Sequence, residues 1–456
     1  MTSPRLFHGW IVVWAAFGCT TVIFGVAYSF AAFFEPFARA FGAQRAEVSW
    51  VFGVSSLLFF SLGAVGGALA DRFGPRTTAV AGMVCIALGL LLSSFAGDLR
   101  TIYFAYGLGI GLGVALTYTP SMGAVQPWFL RQRGLASGIA SSGIGAGTLV
   151  VPLAAAWLID VAGWRGAMRW MAAATLALGC AVAWLLERDP AARGLAPDGV
   201  PGAAGAMGSA AAIGATVATG VSGMSGTGIA SGAPGAPGAS GATGTPGVSG
   251  APRAAGLRLS ETVRTAEYRW LYLATLAAGI PMFIPFAHLS AAARDRGIGE
   301  AEAVALVGLI GIGSLVGRFG IGALADRLGR LQTHVVAQAV LGASFLLWWL
   351  GAGYAAYALF ALVFGLSYGG IVSLLPPICS DLFGLRAVSG TIGLLYTGAG
   401  FGALIGPVAA GALFDRYGGY QLAIALCMIA SALATSCAWR VWRLGTVAPG
   451  RAGVPG

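Results

Sequence analysis

Twelve long apolar stretches, joined by short arginine-bearing connections, decide what this chain can become. An α-helix rises 1.5 Å per residue, so about twenty apolar residues cross a ~30 Å hydrocarbon layer. The stretches fall near 10–34, 47–70, 77–97, 101–126, 134–158 and 164–186, and again near 268–292, 302–325, 333–353, 356–378, 387–411 and 418–440. Only 9% of the 456 residues are charged and 57% are hydrophobic, whereas a soluble domain carries about a quarter charged residues. Such a chain cannot cover itself with a polar surface. An all-α, multi-pass membrane protein with six spans on each side of a central gap follows.

The net charge of +10 comes from arginine alone, since lysine is absent. Basic chains often bind nucleic acid, but these arginines sit in short loops, where they set orientation. With the N-terminus inside, Arg72, Arg76, Arg131, Arg133, Arg188, Arg193, Arg258, Arg264, Arg269, Arg327, Arg330 and Arg386 fall on inner loops and Arg440 and Arg443 on the inner tail. Arg39, Arg45, Arg100, Arg165, Arg169, Arg294, Arg296 and Arg416 fall outside. The excess places both termini in the cytoplasm. The first apolar run, from Trp10, lacks a small-residue cleavage site and is expected to span the membrane. The six cysteines lie in apolar stretches without metal-ligand spacing and read as packing residues. Residues 190–256, almost all Gly, Ala, Ser, Pro, Thr and Val, are expected to form a disordered linker between bundles 1–189 and 257–445, and 446–456 a disordered tail. A short amphipathic helix is predicted over 257–267, and Pro281 and Pro285 are expected to break the seventh span.

An internal repeat ties the halves together. Gly67-Ala-Leu-Ala-Asp71-Arg72-Phe-Gly74-Pro-Arg76 follows the second span, and Gly322-Ala-Leu-Ala-Asp326-Arg327-Leu-Gly329-Arg330 follows the eighth. The same string at equivalent places makes the halves parallel repeats. It resembles the signature loop of the major facilitator superfamily, with twelve transmembrane helices in two six-helix bundles. A narrower resemblance is carried by His8 to Phe17, by Trp128 to Gly147 (with Arg131, Arg133, Leu135, Ala136, Gly138 and Gly143), by Ser367 to Gly384 and by Gly393 to Gly411. These segments look like the monocarboxylate transporter family, including its bacterial oxalate/formate antiporter branch. The resemblance implies a secondary carrier in a bacterial inner (plasma) membrane. It also implies a gating role for Asp71, Arg72, Arg76, Asp326, Arg327, Arg131 and Arg133 on the cytoplasmic face. The bland reading of the same residues is helix capping and orientation.

One unambiguous charge lies deep in a span, Arg318. A mid-membrane arginine costs a few kcal/mol or more, so it is a functional candidate by default. Its planar fork matches a carboxylate, and the family resemblance implies that it binds one. Tyr118, Tyr396, Tyr28 and Tyr368 fall in the fourth, eleventh, first and tenth spans and could donate to an anion while walling its pocket. His288 is the titratable candidate for the cavity or the outer gate.

The chain also departs from its resembling relatives. Ser314 stands where animal members have an aspartate, Ala32 where they have a lysine, and Thr397, Gly398 and Ala399 where the oxalate branch has its lysine. One fixed charge suits a monoanion better than a dianion. The expected protein is therefore a monomeric carrier of a small carboxylate, with protons or a counter-anion as partner, no cofactor and no enzyme chemistry. Dicarboxylate antiport, drug or sugar export, or solute sensing without transport are the alternatives.

Overall fold

The computed structural model describes residues 7–129, 133–188, 190–195, 197, 257–351, 353–384 and 388–447. At a few helical positions, Arg133 and Asp326 among them, only the backbone is described. Arg131, Arg386, most of the expected linker and the last nine residues lie outside the described residues.

Among the described residues, eleven helical rods are long and apolar enough to cross a membrane. We label α1 His8–Phe41, α2 Arg45–Phe73, α3 Pro75–Ser93 and α4 Leu99–Trp128. The fifth rod, Leu135–Trp184, has 50 residues and is two spans, α5 (135–162) and α6 (164–184). Then follow α7 Ala266–Arg294, α8 Glu300–Leu328, α9 Arg330–Leu350, α10 Tyr354–Phe383, α11 Val388–Tyr417 and α12 Gln421–Val447.

The long rod is divided at Gly163, with φ 68° and ψ 167°, a backbone state open to glycine and costly for other residues. The neighbours show that the chain turns back there. α5 follows α1, with Thr20 Oγ1 donating to the Ala140 carbonyl and Val151 against Gly25. α6 retraces that path, with Gly179 against Val22 and Val182 against Gly18. Arg165 bonds the Ala96 carbonyl just past the end of α3, and Arg76 at its start bonds the Leu186 carbonyl. Twelve spans result, six and six, and both termini emerge on one side.

Two sequence expectations need correction. The predicted amphipathic helix is one turn, Leu259–Thr262, and residues 266–267 already belong to α7. α7 runs as one continuous helix through Pro281 and Pro285. A proline removes one amide hydrogen bond, and packing on both faces of a mostly buried helix holds the axis together. The break falls instead in α1, which divides at Ser29 into His8–Tyr28 and Phe30–Phe41.

The bundles meet along α2 with α11 and α5 with α8, where small residues let backbones approach. A Cβ added at Gly311 would lie 2.6 Å from the Gly145 carbonyl oxygen, and one at Gly411 2.6 Å from the Ala46 amide nitrogen. Within the second bundle a Cβ at Gly317 would lie 2.0 Å from the Leu366 carbonyl oxygen, so α8 and α10 close only on glycine. The perimeter is apolar, with Trp14, Trp157, Leu178 and Ile429 all more than half exposed, as lipid contact requires. The six cysteines are free thiols, buried or half-buried.

Gly317→Val should force α8 from α10 and cost about 1–3 kcal/mol by overpacking. Thermal unfolding of the detergent-solubilised protein should show a midpoint several degrees lower. Gly320→Ala, which meets nothing within 4 Å, should leave it near the wild-type value.

Candidate functional site

Arg318 lies on α8, ten residues before its end at Leu328, or about 15 Å along the helix axis. It is 6% exposed, and its Nε and Nη2 atoms are buried without a hydrogen-bond partner. Among the described residues no carboxylate pairs with it. Ser314, one turn earlier on the same helix, is also buried with an unpartnered hydroxyl. A serine cannot neutralise the guanidinium as an aspartate there could. The arrangement is a desolvated cation with donors to spare, which is costly until an anion supplies the counter-charge.

The four predicted tyrosines, Tyr28, Tyr118, Tyr368 and Tyr396, all lie within reach of its charge. Tyr28 of α1 and Tyr368 of α10 share a hydrogen bond between their phenols at 2.9 Å, which joins the two bundles at mid-depth. Phe286 of α7 stacks on Tyr28 with centroids 4.1 Å apart and packs edge-on against Tyr368. Tyr118 and Tyr396 are half-buried, with Phe24 edge-on to Tyr118 and Phe60 beside Tyr396. The result is one buried cation inside an aromatic wall whose polar atoms are phenols. Two surface depressions lie elsewhere, one beside Trp50 and Phe104, the other beside Trp348 and Tyr357, and neither contains Arg318.

His288 does not join this group. It sits six residues from the end of α7 on the side away from the termini, completely buried. There Nε2 lies 2.8 Å from the Pro407 carbonyl oxygen and 3.0 Å from Ser49 Oγ, and Nδ1 lies 3.0 Å from the Tyr420 hydroxyl. Around it is a junction that sequence reading missed. Arg45, the first residue of α2, makes a two-pronged ion pair with Asp295 at 2.7 and 2.8 Å and donates to Tyr420 at 2.6 Å. Asp415 of α11 accepts from the Arg45 and Ala46 amides, capping the positive end of α2 from the opposite bundle. Read from sequence, Arg45 was only an outer-loop charge. A signal was present: Gly411-Ala-Leu-Phe-Asp415-Arg416-Tyr-Gly418 repeats the signature string a third time, at the opposite end of the molecule.

Hydrogen bonds between the bundles, among the described residues, lie at this junction or at the Tyr28–Tyr368 pair. Among the described residues, several termini-side ion pairs lie within one bundle. Asp71 pairs with Arg188 at 3.1 Å, Arg330 bonds Asp381, and Arg76 bonds Glu187 at 3.0 Å. Arg72 and Arg327 are exposed. The side chains of Asp326 and Arg133 lie outside the described set, as does Arg131. Glu187, just beyond α6, gathers Arg193, Arg76 and His8, while its carbonyl accepts from Trp128 Nε1. The Arg193 hydrogen bonds in particular hold the Glu187 carboxyl below its usual range, with the charges of Arg193, His8 and Arg76 adding to them against partial burial.

The profile of the Major Facilitator Superfamily matches residues 16–389 and 270–455. The chain is 30% identical over 437 residues to monocarboxylate transporter 11 of Homo sapiens, covering 92% of this chain and 79% of that protein. It is 27% identical over 421 residues to monocarboxylate transporter 3 of Rattus norvegicus, covering 91% and 76%. To monocarboxylate transporter 13 of Bos taurus it is 38% identical over 190 residues, spanning 41% of this chain and less than half of that protein. The chain belongs to the major facilitator superfamily. Within it, the full-length match puts the chain in the monocarboxylate transporter family, whose members are membrane transporters and not enzymes.

The depressed Glu187 carboxyl fixes a pH dependence. A carboxyl held lower in the folded state contributes stability above its ordinary value of 4.5, and that contribution is lost as pH falls through the folded value. Glu187→Gln should therefore lower the thermal midpoint at pH 7 by a few degrees and lose that effect on acidification below pH 4. Melting curves of both proteins across that range check it.

Proposed function

We propose that this chain carries a small monocarboxylate across a membrane by alternating access, with Arg318 as the anion-binding residue. The single observation behind this reading is the buried Arg318 between the bundles, with its Nε and Nη2 unpartnered. A carboxylate would supply both the counter-charge and two acceptors for its planar fork, forming charge-assisted bonds of about 2.7–2.9 Å. Tyr28, Tyr118, Tyr368 and Tyr396 would donate to the same anion or wall its short apolar body. The relatives named for monocarboxylate transport support the cargo class. The single cation supports a monoanion, because a second carboxylate would enter the site unpaired.

The inter-bundle junction at Arg45 supports a cycle of alternating access. With the arginine-rich termini side in the cytoplasm, the junction at Arg45 closes the outer face and the site communicates inward. Asp71, Arg72, Arg76, Asp326, Arg327, Arg131 and Arg133 then belong to the inner gate, which would engage when the bundles rock the other way. We place the chain in a plasma membrane, the bacterial inner membrane on its resemblance to the oxalate/formate branch, as a monomer driven by a proton or a counter-anion. Residues 190–256 would link the bundles as a flexible tether.

Proteoliposomes should take up pyruvate, lactate or formate in preference to oxalate. Arg318→Ala should reduce that uptake at least a hundredfold, about what removal of a buried charge-assisted partner costs. Arg318→Lys should also fail, because an ammonium presents no planar fork. Retained uptake in both variants would overturn the assignment, and preferential transport of oxalate would overturn the monoanion reading.

A further inference from the structure

The hydrogen-bond pattern around His288 fixes its protonation state when the far-side junction is closed. The Pro407 carbonyl is an acceptor only, so the 2.8 Å contact requires that Nε2 carry a hydrogen. Ser49 Oγ donates to the Arg45 carbonyl at 2.6 Å and can share that same Nε2–H at 3.0 Å. On the other side of the ring, Tyr420 oxygen already accepts from Arg45 Nη1 at 2.6 Å. Its own hydrogen is then free to point at His288 Nδ1, 3.0 Å away. Every hydrogen has a place if His288 is the neutral tautomer with Nδ1 bare. The chain of bonds runs from Asp295 through Arg45 and Tyr420 to His288 and then to Pro407, crossing between the bundles twice.

A second proton on His288 breaks this pattern. Nδ1–H and Arg45 Nη1–H would both aim at one phenolic oxygen, and the phenol's own hydrogen would lose its acceptor. The imidazolium would also face the Arg45 guanidinium, with one hydroxyl between two cations. The groups that could compensate are committed. Asp295, just past the end of the same helix, holds both Arg45 prongs, and Asp415 of α11 caps α2 through the Arg45 and Ala46 amides. From α1 comes the ring of Phe34, edge-on at 5.1 Å, while its neighbour Glu35 pairs with Arg39. Arg294 of α7 lies toward Ser290 and Glu300. Tyr420, just before α12, is the hydroxyl already described.

We propose that His288 is a proton switch of the outer gate, and that its protonation unlocks the Arg45–Asp295–Asp415–Tyr420 junction and opens the far side of the carrier. This rests on the reading of the chain as an alternating-access carrier with that side facing outward. The anion and the proton are held at separate places, Arg318 at mid-depth and His288 near the far end of α7. Outside acid opens the gate through His288, the anion enters to Arg318, and the proton returns to the outside as the junction re-forms, so His288 gates access and carries no proton across. A one-proton switch moves the open-to-closed ratio by at most about tenfold per pH unit.

The test needs no cargo. Nitroxides are placed at Ala40 and Ala301, exposed positions at the far ends of α1 and α8, by unnatural amino acids, so that the native cysteines stay intact. Pulsed dipolar spectroscopy then reads the gap between the bundles for the full chain in nanodiscs. The wild type should show one short distance at pH 8 and a growing longer-distance population by pH 5. His288→Gln, whose amide can donate to Pro407 and accept from Tyr420 without titrating, should keep the short distance at both pH values. Asp295→Asn, which weakens the Arg45 ion pair, should populate the long distance already at pH 8 and shows that the labels sense the gate. A pH response surviving in His288→Gln, or a wild type that stays shut at pH 5, would overturn the proposal. If wild-type liposomes move no monocarboxylate while the His288-dependent widening holds, the cargo reading falls and the proton switch stands.

Discussion

The account depends on one uncompensated charge. A guanidinium cannot shed its proton to escape a low-dielectric interior, so Arg318 is either paired within the protein or held ready for an external partner. Here its own helix offers Ser314, and its charge reaches four phenols, which donate as readily as they accept. The cost of keeping the charge unpaired is borne by the packing around it. Glycines at 311 and 317 let α8 seat tightly against α5 and α10, and the aromatic cluster of Phe286, Tyr28 and Tyr368 closes over what remains.

The second organising fact is the difference between the two ends. On the far side, Arg45, Asp295, Asp415, Tyr420 and His288 tie α2 to α7, α11 and α12 through charge-assisted bonds. On the termini side the described ion pairs turn inward within each bundle, as at Asp71–Arg188 and Arg330–Asp381. An ion pair holding two rigid bodies is a two-state fastening, made or broken and seldom intermediate. Among the described residues the far side is fastened between the bundles, and one of its anchors, Asp415, lies in a further copy of the Gly-Ala-Leu-x-Asp-Arg string.

Much of this was legible in the sequence because the strongest signals were local. Hydropathy runs long enough to cross a bilayer placed the spans, with ends off by up to seven residues in α1 and α12, and the duplicated Gly-Ala-Leu-Ala-Asp-Arg string pointed to the two-bundle fold. Gly163, between two predicted spans, proved to be the turn that makes eleven rods into twelve crossings. The four tyrosines and Arg318 could be grouped because each falls near the middle of its span. The far-side junction was hidden for the opposite reason. Arg45, Asp295, Asp415 and Tyr420 are loop-end residues up to 375 positions apart, and only tertiary folding brings them together. The expected break in α7 failed because a proline's local effect was given more weight than the burial that surrounds this helix, whereas Ser29, unremarkable in sequence, marks the division of α1.

The most direct measurement is a structure of the full chain, by electron cryomicroscopy in nanodiscs, with pyruvate present at saturating concentration. The account predicts the carboxylate density against Arg318, both oxygens within about 3 Å of guanidinium nitrogens and phenols of the surrounding tyrosines at its edge. Pyruvate bound elsewhere, with Arg318 satisfied by a protein carboxylate or by backbone carbonyls, would contradict it.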